Sequence, residues 1–364
     1  MKALKWMFVA VLFGVGFTVF FVYREPTTTL IDAAGERLTA GVDEGAEVFA
    51  GDVFDEARAL MEAGDYAAAE ANLVQLVNES ERDGEACILL SEVARELEKA
   101  DDAADFGLKA VELLPESAEA HLVYAQAIGA QMMSGGGGLA ALASMTPRLK
   151  RMKEECTRVI ELNSDDTEAR TILAMTFLML PRLMGGDQEK ALELCREVEA
   201  RDAIGGKQLL AMALYQTGAK DDAIELCRAA LVEYPDERGF HVTLGGFHAE
   251  EKHFEEADAA YKAARAGDQD EHYYLALYMQ ARMRVENEFE STEAITMLEE
   301  FIAAEPEGEF IPSVAHALWR KGVAHELAGD RALAEGCYEE SLRRDPGFDK
   351  AEGALAVLRK GAAE

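Results

Sequence analysis

The sequence predicts an all-α protein: a solenoid of about eight helical hairpins with a C-terminal capping helix, preceded by one N-terminal transmembrane helix. Three observations predict it. Ala, Leu and Glu are abundant and Pro is scarce, at 8 of 364 residues, which favours helix throughout. The same landmarks return at intervals near 34 residues. An uncharged apolar run stands at the N-terminus, ahead of a strongly acidic remainder.

The period is clearest in two segments. Residues 84–117 span 34 residues, hold two amphipathic stretches and close on Leu114-Pro115; residues 204–237 repeat that length. A small residue recurs in the first helix of each hairpin, at Ala57, Ser91, Ala125, Ala174, Ala211, Gly245, Ala281 and Gly322. A turn follows, clearest at Gly64-Asp65-Tyr66, Gly218-Ala219-Lys220 and Gly329-Asp330. An Ala opens the inner face of the second helix, at Ala69, Ala103, Ala191, Ala223, Ala257, Ala294 and Ala334, and a Pro ends several units, at Pro115, Pro235, Pro306 and Pro346. Each landmark has a cause. Small residues let two helices approach closely, Gly adopts the backbone that ends a helix, and Pro stops the second helix. A single hairpin cannot bury its apolar faces alone, so neighbours must stack.

These residues resemble the tetratricopeptide repeat family. The resemblance covers about 50–348, with units near 50–83, 84–117, 118–166, 167–203, 204–237, 238–270, 274–308 and 315–348, and 349–364 as capping helix and tail. It implies a right-handed superhelical solenoid whose first helices line a concave groove that binds proteins, with no cofactor and no enzymatic activity. Carried over by alignment, the groove candidates in the later repeats are Met175, Leu178, Gln208, Met212, Tyr215, Val242, Tyr278, Arg282, Trp319 and Val323. In the early repeats they are Arg58, Glu85, Glu92, Arg95, Glu119 and Gln126. The early groove is charged and the later one apolar and aromatic, which suits a peptide helix or an apolar ligand. Some members grip a chaperone's C-terminal carboxylate with Lys and Asn. The corresponding early positions here hold Phe54, Arg58, Leu89, Glu119 and Val123, so that clamp is absent.

Two units break the period. The third, 118–166, carries extra residues near 129–147, including Gly135 to Gly138. It reads as a tolerated turn insertion or as a flap over the groove, with Met132, Met133, Leu139, Leu142 and Met145 as its apolar face. The fourth carries Pro181 and Gly185-Gly186 near 178–186. The two insertions leave consecutive hairpins from one edge and should be neighbours, a lid whose candidates are Met132, Met133, Leu142, Met145, Pro181 and Met184. The segment Leu180 to Asp187 loosely resembles envelope tetratricopeptide proteins thought to assist solute transporters. That resemblance implies a small apolar or acidic ligand as the alternative to a protein partner.

Lys2 and Lys5 precede the apolar run from Trp6 to Tyr23, 18 residues, at the lower end of what spans a bilayer. No A-x-A-like cleavage site follows closely, so residues 1–24 read as a signal anchor, with a cleaved signal as the alternative, and 25–49 as a linker. Lys2 and Lys5 against Arg24 place the N-terminus in the cytoplasm. The expected location is the inner membrane, single-pass, with the bulk of the chain periplasmic.

The formal net charge is −33, and none of the 69 acidic residues falls in the first 24. Such a body repels phosphate backbones, which excludes nucleic acid as a partner. Five cysteines, with no CxxC, sit in apolar stripes and read as core filler. Seven histidines show no metal-ligand spacing, and no nucleophile motif occurs. The reading is a membrane-anchored scaffold, and not an enzyme.

Overall fold

The computed structural model describes residues 50–74, 83–134, 139–182, 185–308 and 310–360, and among them lie seventeen helices and no strand. The helices pair in sequence. The first four hairpins are α1 (Ala50–Glu62) with α2 (Tyr66–Val74), α3 (Asp83–Glu96) with α4 (Ala100–Leu113), α5 (Ala118–Ser134) with α6 (Leu139–Leu162), and α7 (Thr167–Met179) with α8 (Gln188–Glu199). The next four are α9 (Ala203–Gln216) with α10 (Lys220–Glu233), α11 (Gly239–Glu250) with α12 (Phe254–Ala264), α13 (Glu271–Glu286) with α14 (Ser291–Ala304), and α15 (Val314–Ala328) with α16 (Arg331–Arg344). A last helix, α17 (Asp349–Lys360), packs on α16. The chain divides into two compact units, one ending at Asp202 and the other beginning at Ala203.

Close approach within each hairpin follows from the small residues. Ala57, Ala125, Ala174, Ala211 and Ala281 are fully buried in first helices, as are all seven second-helix alanines named above. Two hairpins use glycine against tyrosine instead. A Cβ on Gly245 would strike the Tyr261 ring, and one on Gly322 the Tyr338 ring, so neither position accepts a side chain. Ser91 turns the same contact into a hydrogen bond, its hydroxyl donating to the Ala103 carbonyl at 2.7 Å. The four prolines each stand two residues beyond the end of a second helix.

The turn within the hairpin is more regular than its residues. At Gly64, Glu98, Gly218, Lys252, Glu288 and Gly329 the backbone is left-handed, with φ between 58° and 94°. In each case the following N–H reaches back five residues, as from Asp65 to Leu60 at 2.8 Å and from His253 to His248 at 2.8 Å. Half of these turns therefore hold a side chain where glycine is favoured, because the hairpin's packing imposes the conformation.

The third unit is longer than the period. Its extra residues mostly lengthen the two helices: α5 runs on to Ser134, and α6 begins at Leu139 and contains Pro147. Gly135 to Gly138 lie outside the described residues, as do the anchor expected over 1–24, the linker 25–49 and Met184. No helix among the described residues is long and apolar enough to cross a membrane.

Stacking between hairpins is partly polar in the second unit. Asp258 on α12 accepts from Gln280 and Arg284 on α13, each at 2.5 Å, and Arg284 also reaches Glu290 at 3.0 Å. Burial alone would raise the Asp258 carboxyl, but Lys262, Arg284 and Gln280 outweigh it and hold it down at about 2. A carboxylate depressed in the fold adds stability above its unfolded value near 4, and that stability is lost as pH falls through about 2. Asp258→Asn is therefore expected to cost about 2 kcal/mol at pH 7. The gap to the parent should close between pH 4 and pH 2 in urea titrations run across that range.

Backbone effects give a second expectation. Lys252→Gly and Glu288→Gly should each raise stability by about 0.5–1 kcal/mol, the left-handed strain relieved less the added freedom of the unfolded chain. Gly245→Ala should lower it by about 2 kcal/mol through overpacking on Tyr261. Urea unfolding of the full chain reads all three, and a loss of stability in the two glycine variants would refute the strain assignment.

Candidate functional site

The first helices carry the positions that the sequence nominates, and the structure separates them into core and surface. Met175 and Leu178 on α7, Met212 and Tyr215 on α9, Val242 on α11 and Tyr278 on α13 are all buried. They pack in the hairpin stack rather than line an open surface. Tyr215 shows why: its ring stacks on Phe247 at 4.1 Å, nearly parallel, and its hydroxyl donates to the Phe247 carbonyl at 3.2 Å. Burial and the Glu250 and Glu251 carboxylates raise that phenol, so it remains a donor. A large side chain on a first helix is covered by the next hairpin, and stacking consumes the apolar area that the sequence offers to a ligand.

Four of the nominated later-repeat residues stay half-exposed: Gln208, Arg282, Trp319 and Val323. Gln208 lies against the start of α11, where a Cβ on Gly239 would meet its amide. Arg282 and Trp319 belong to one cluster with the buried Tyr278. Arg282 Nε donates to Glu286 at 2.7 Å, and Arg320 Nη1 reaches the same carboxylate at 3.2 Å. Arg320 Nε donates to Tyr278 Oη at 3.1 Å. Two cations sit against the Trp319 ring, the Arg320 guanidinium and the Lys350 ammonium, each 5.1 Å from its centroid, and Phe348 meets it edge-on at 6.0 Å. Arg320, Glu286 and Lys350 escape a reading by repeat register. Arg320 lies one residue off the Tyr278 and Trp319 register, and Lys350 belongs to the capping helix. Their one signal in the sequence is cationic side chains beside an aromatic in an otherwise acidic chain.

The early repeats are charged, as their residues indicate. Arg58 on α1 pairs with Glu85 on α3 at 3.0 Å. Arg95 on α3 donates to Gln126 on α5, whose amide donates in turn to Glu168 on α7 at 2.6 Å. Burial raises the nearby Glu92 carboxyl against the pull of Arg95, and Glu119 and Glu168 raise it further. Successive first helices are thus tied by one polar ladder.

The second insertion packs on α6 beyond the first. Lys153 Nζ on α6 donates to the Gly185 carbonyl at 2.9 Å and lies 4.5 Å from the Phe177 ring centre. The turn closes through Asp187 N–H to the Phe177 carbonyl at 3.2 Å, and a Cβ on Gly186 would collide with the Leu180 backbone. Of the lid candidates, Met132, Met133 and Met145 are half-buried and Pro181 is exposed. Leu142 falls within α6, and its side chain lies outside the described residues. A surface hollow of about 430 Å³ runs along α6, lined by Lys150, Lys153, Glu154, Thr157, Arg158 and Glu161, and not by the lid methionines.

No group of three or more His, Cys, Asp or Glu able to hold a metal ion occurs among the described residues. All five cysteines are free thiols. Cys87, Cys156, Cys195 and Cys227 are fully buried, and burial pushes Cys195 and Cys227 up to about 12.

The tetratricopeptide repeat family model matches residues 54–118, 209–238 and 278–347. The chain carries tetratricopeptide repeats. These repeats generally mediate protein–protein interaction. The tetratricopeptide chain is similar to Superkiller complex protein 3 of Mus musculus, 28% identical over 177 residues; the match covers 48% of this chain and only 11% of that protein's length. Among solved structures it is similar to a tetratricopeptide repeat protein from Parabacteroides merdae, 10% identical with a TM-score of 0.47, covering 85% of this chain and 98% of that one. It is also similar to a thermophilic tetratricopeptide protein of Thermus thermophilus, 18% identical with a TM-score of 0.42, covering 53% and 95%. The Cut9–Hcn1 hetero-tetramer of APC/C is similar at 12% identity and a TM-score of 0.43, covering 87% and 57%.

Burial decides how these repeats respond to substitution. Tyr278→Ala should cost about 3–5 kcal/mol, as for other buried aromatics. Trp319→Ala should cost less than half of that. Thermal or urea unfolding tests the contrast, and equal losses at the two positions would contradict the assignment of Trp319 to the surface.

Proposed function

We propose that the chain is a membrane-anchored scaffold that recruits protein partners through the exposed edges of its first helices, with Arg282 and Trp319 in the contact surface. The observation that carries this is the half-exposed Trp319 and Arg282 on first helices of adjacent repeats, in one cluster with Arg320 and Glu286, where Tyr278 and Val242 at the Trp319 register are buried. Aromatic and Arg side chains of this kind dominate the energetics of protein interfaces. The anchor is the apolar run over 1–24, which would hold the array at the inner membrane with its bulk on the periplasmic side. The strongly negative net charge disfavours nucleic acid as the partner.

A photo-crosslinking residue placed at 282 or 319 in the full chain should capture a partner. The same residue at position 232, an exposed site on a second helix, should capture none. Capture confined to 232 would overturn the surface assignment. Deletion of residues 2–24 should move the protein from the membrane to the soluble fraction, and continued sedimentation with membranes would remove the anchor.

A second reading, a ligand-holding accessory of a solute transporter, draws on the Lys153 contact that ties the second insertion to α6. It expects a small apolar or acidic solute to raise the melting temperature, and Gly186→Ala to abolish that rise.

A further inference from the structure

Arg320 on α15 is 2% exposed, yet its Nη2 is buried with no hydrogen-bond partner. Its side-chain hydrogen bonds go to Tyr278 and Glu286. Burial works against the Arg320 charge, but Tyr278 and Glu286 outweigh it and hold the guanidinium up, in a chain whose net charge is −33. Burial lowers the Lys350 ammonium, and the repulsion of Arg320 and Arg282 upon it exceeds the attraction of Glu286. Burial, then Lys350 and Arg320, push the neighbouring His316 down to about 3, so that it stays neutral. Arg282, Arg320 and Lys350 reach this place from three different helices, α13, α15 and α17, and Glu250 and Glu286 are carboxylates whose charge reaches Arg282. A buried guanidinium donor with no acceptor is costly unless a ligand satisfies it.

We propose that Arg282, Arg320 and Lys350 form a binding site for a phosphate monoester dianion, with Trp319 as its apolar wall. Glu286 already gives both arginines a carboxylate, and Nη2 is still unsatisfied. A further carboxylate brings one charge and two oxygens. A phosphate monoester brings up to two charges and three acceptor oxygens to three cationic donors on separate helices. Trp319 and Lys350 are half-exposed, so the cluster reaches the surface at these two side chains. The inference names the chemistry that a partner would bring to the later repeats, and it rests on the partner-binding reading only for the source of the phosphate.

The chain has two tryptophans, so Trp6→Phe leaves Trp319 as the sole emitter. Three probes are titrated into that full chain: acetyl-Gly-phosphoserine-Gly-amide, its glutamate counterpart, and inorganic phosphate. The phosphoserine peptide should change Trp319 emission saturably, at least about 10-fold tighter than the glutamate peptide. Lys350→Gln should weaken it by about 10-fold with an unchanged helical spectrum. Inorganic phosphate binding as tightly supports the site and makes the free ion its ligand, whereas weaker binding assigns it to a phosphorylated segment. The site is overturned by no saturable change with either phosphate form, by equal binding of the glutamate peptide, or by unaltered binding in Lys350→Gln. Such a failure alongside crosslinking still confined to 282 and 319 removes the phosphate site and leaves the scaffold reading in place.

Discussion

The structure depends on the close approach of two helices within each hairpin. Where Gly245 faces Tyr261 and Gly322 faces Tyr338, an absent side chain makes room for a whole ring. In other hairpins fully buried alanines on both helices leave the same room. Dispersion and burial both fall steeply with a small gap, so this contact sets how the apolar faces of the hairpin meet its neighbours. The turn follows from it. Lys252 and Glu288 adopt a conformation that their side chains disfavour, because the helices they join are already fixed in place.

Once hairpins stack, their large residues are used up. Tyr215 against Phe247 serves the joint between repeats, and Tyr278 packs at 5.4 Å on Phe301 of its own hairpin. What is left for a partner is residual: the side chains at the edge of a stacked face, and the polar groups that stacking does not fully satisfy. In the first unit that residue is a ladder of Arg95, Gln126 and Glu168 on successive first helices. In the second it is a cationic and aromatic cluster around Trp319. Repetition makes the scaffold, and departures from it carry whatever specificity the array has.

The polar contacts between hairpins have a cost as well as a benefit. Arg284 is almost wholly buried and is balanced by Asp258 and Glu290, so a depressed carboxylate and a buried cation stabilise one another. Arg320 is buried to the same degree, yet one of its donors is unmet. Two arginines in adjacent repeats thus differ in whether the fold itself completes their hydrogen bonding.

The sequence by itself determined the repeat. Period, small residues and terminal prolines are local features whose meaning does not depend on distant contacts, so the eight hairpins and the last helix could be read from spacing. Its reading of a charged early surface was also legible, since Arg58, Glu85 and Arg95 cannot be buried without partners. Only tertiary structure decided which aromatic residues are core. Tyr278 and Trp319 stand at the same register in adjacent repeats and differ because one is covered by the following hairpin and the other lies near the end of the stack. Tertiary structure likewise placed most of the third unit's extra residues in longer helices, and brought Lys350 from the capping helix to the Trp319 ring. Such outcomes depend on which surfaces remain uncovered when the hairpins have packed, and a periodic sequence does not record that.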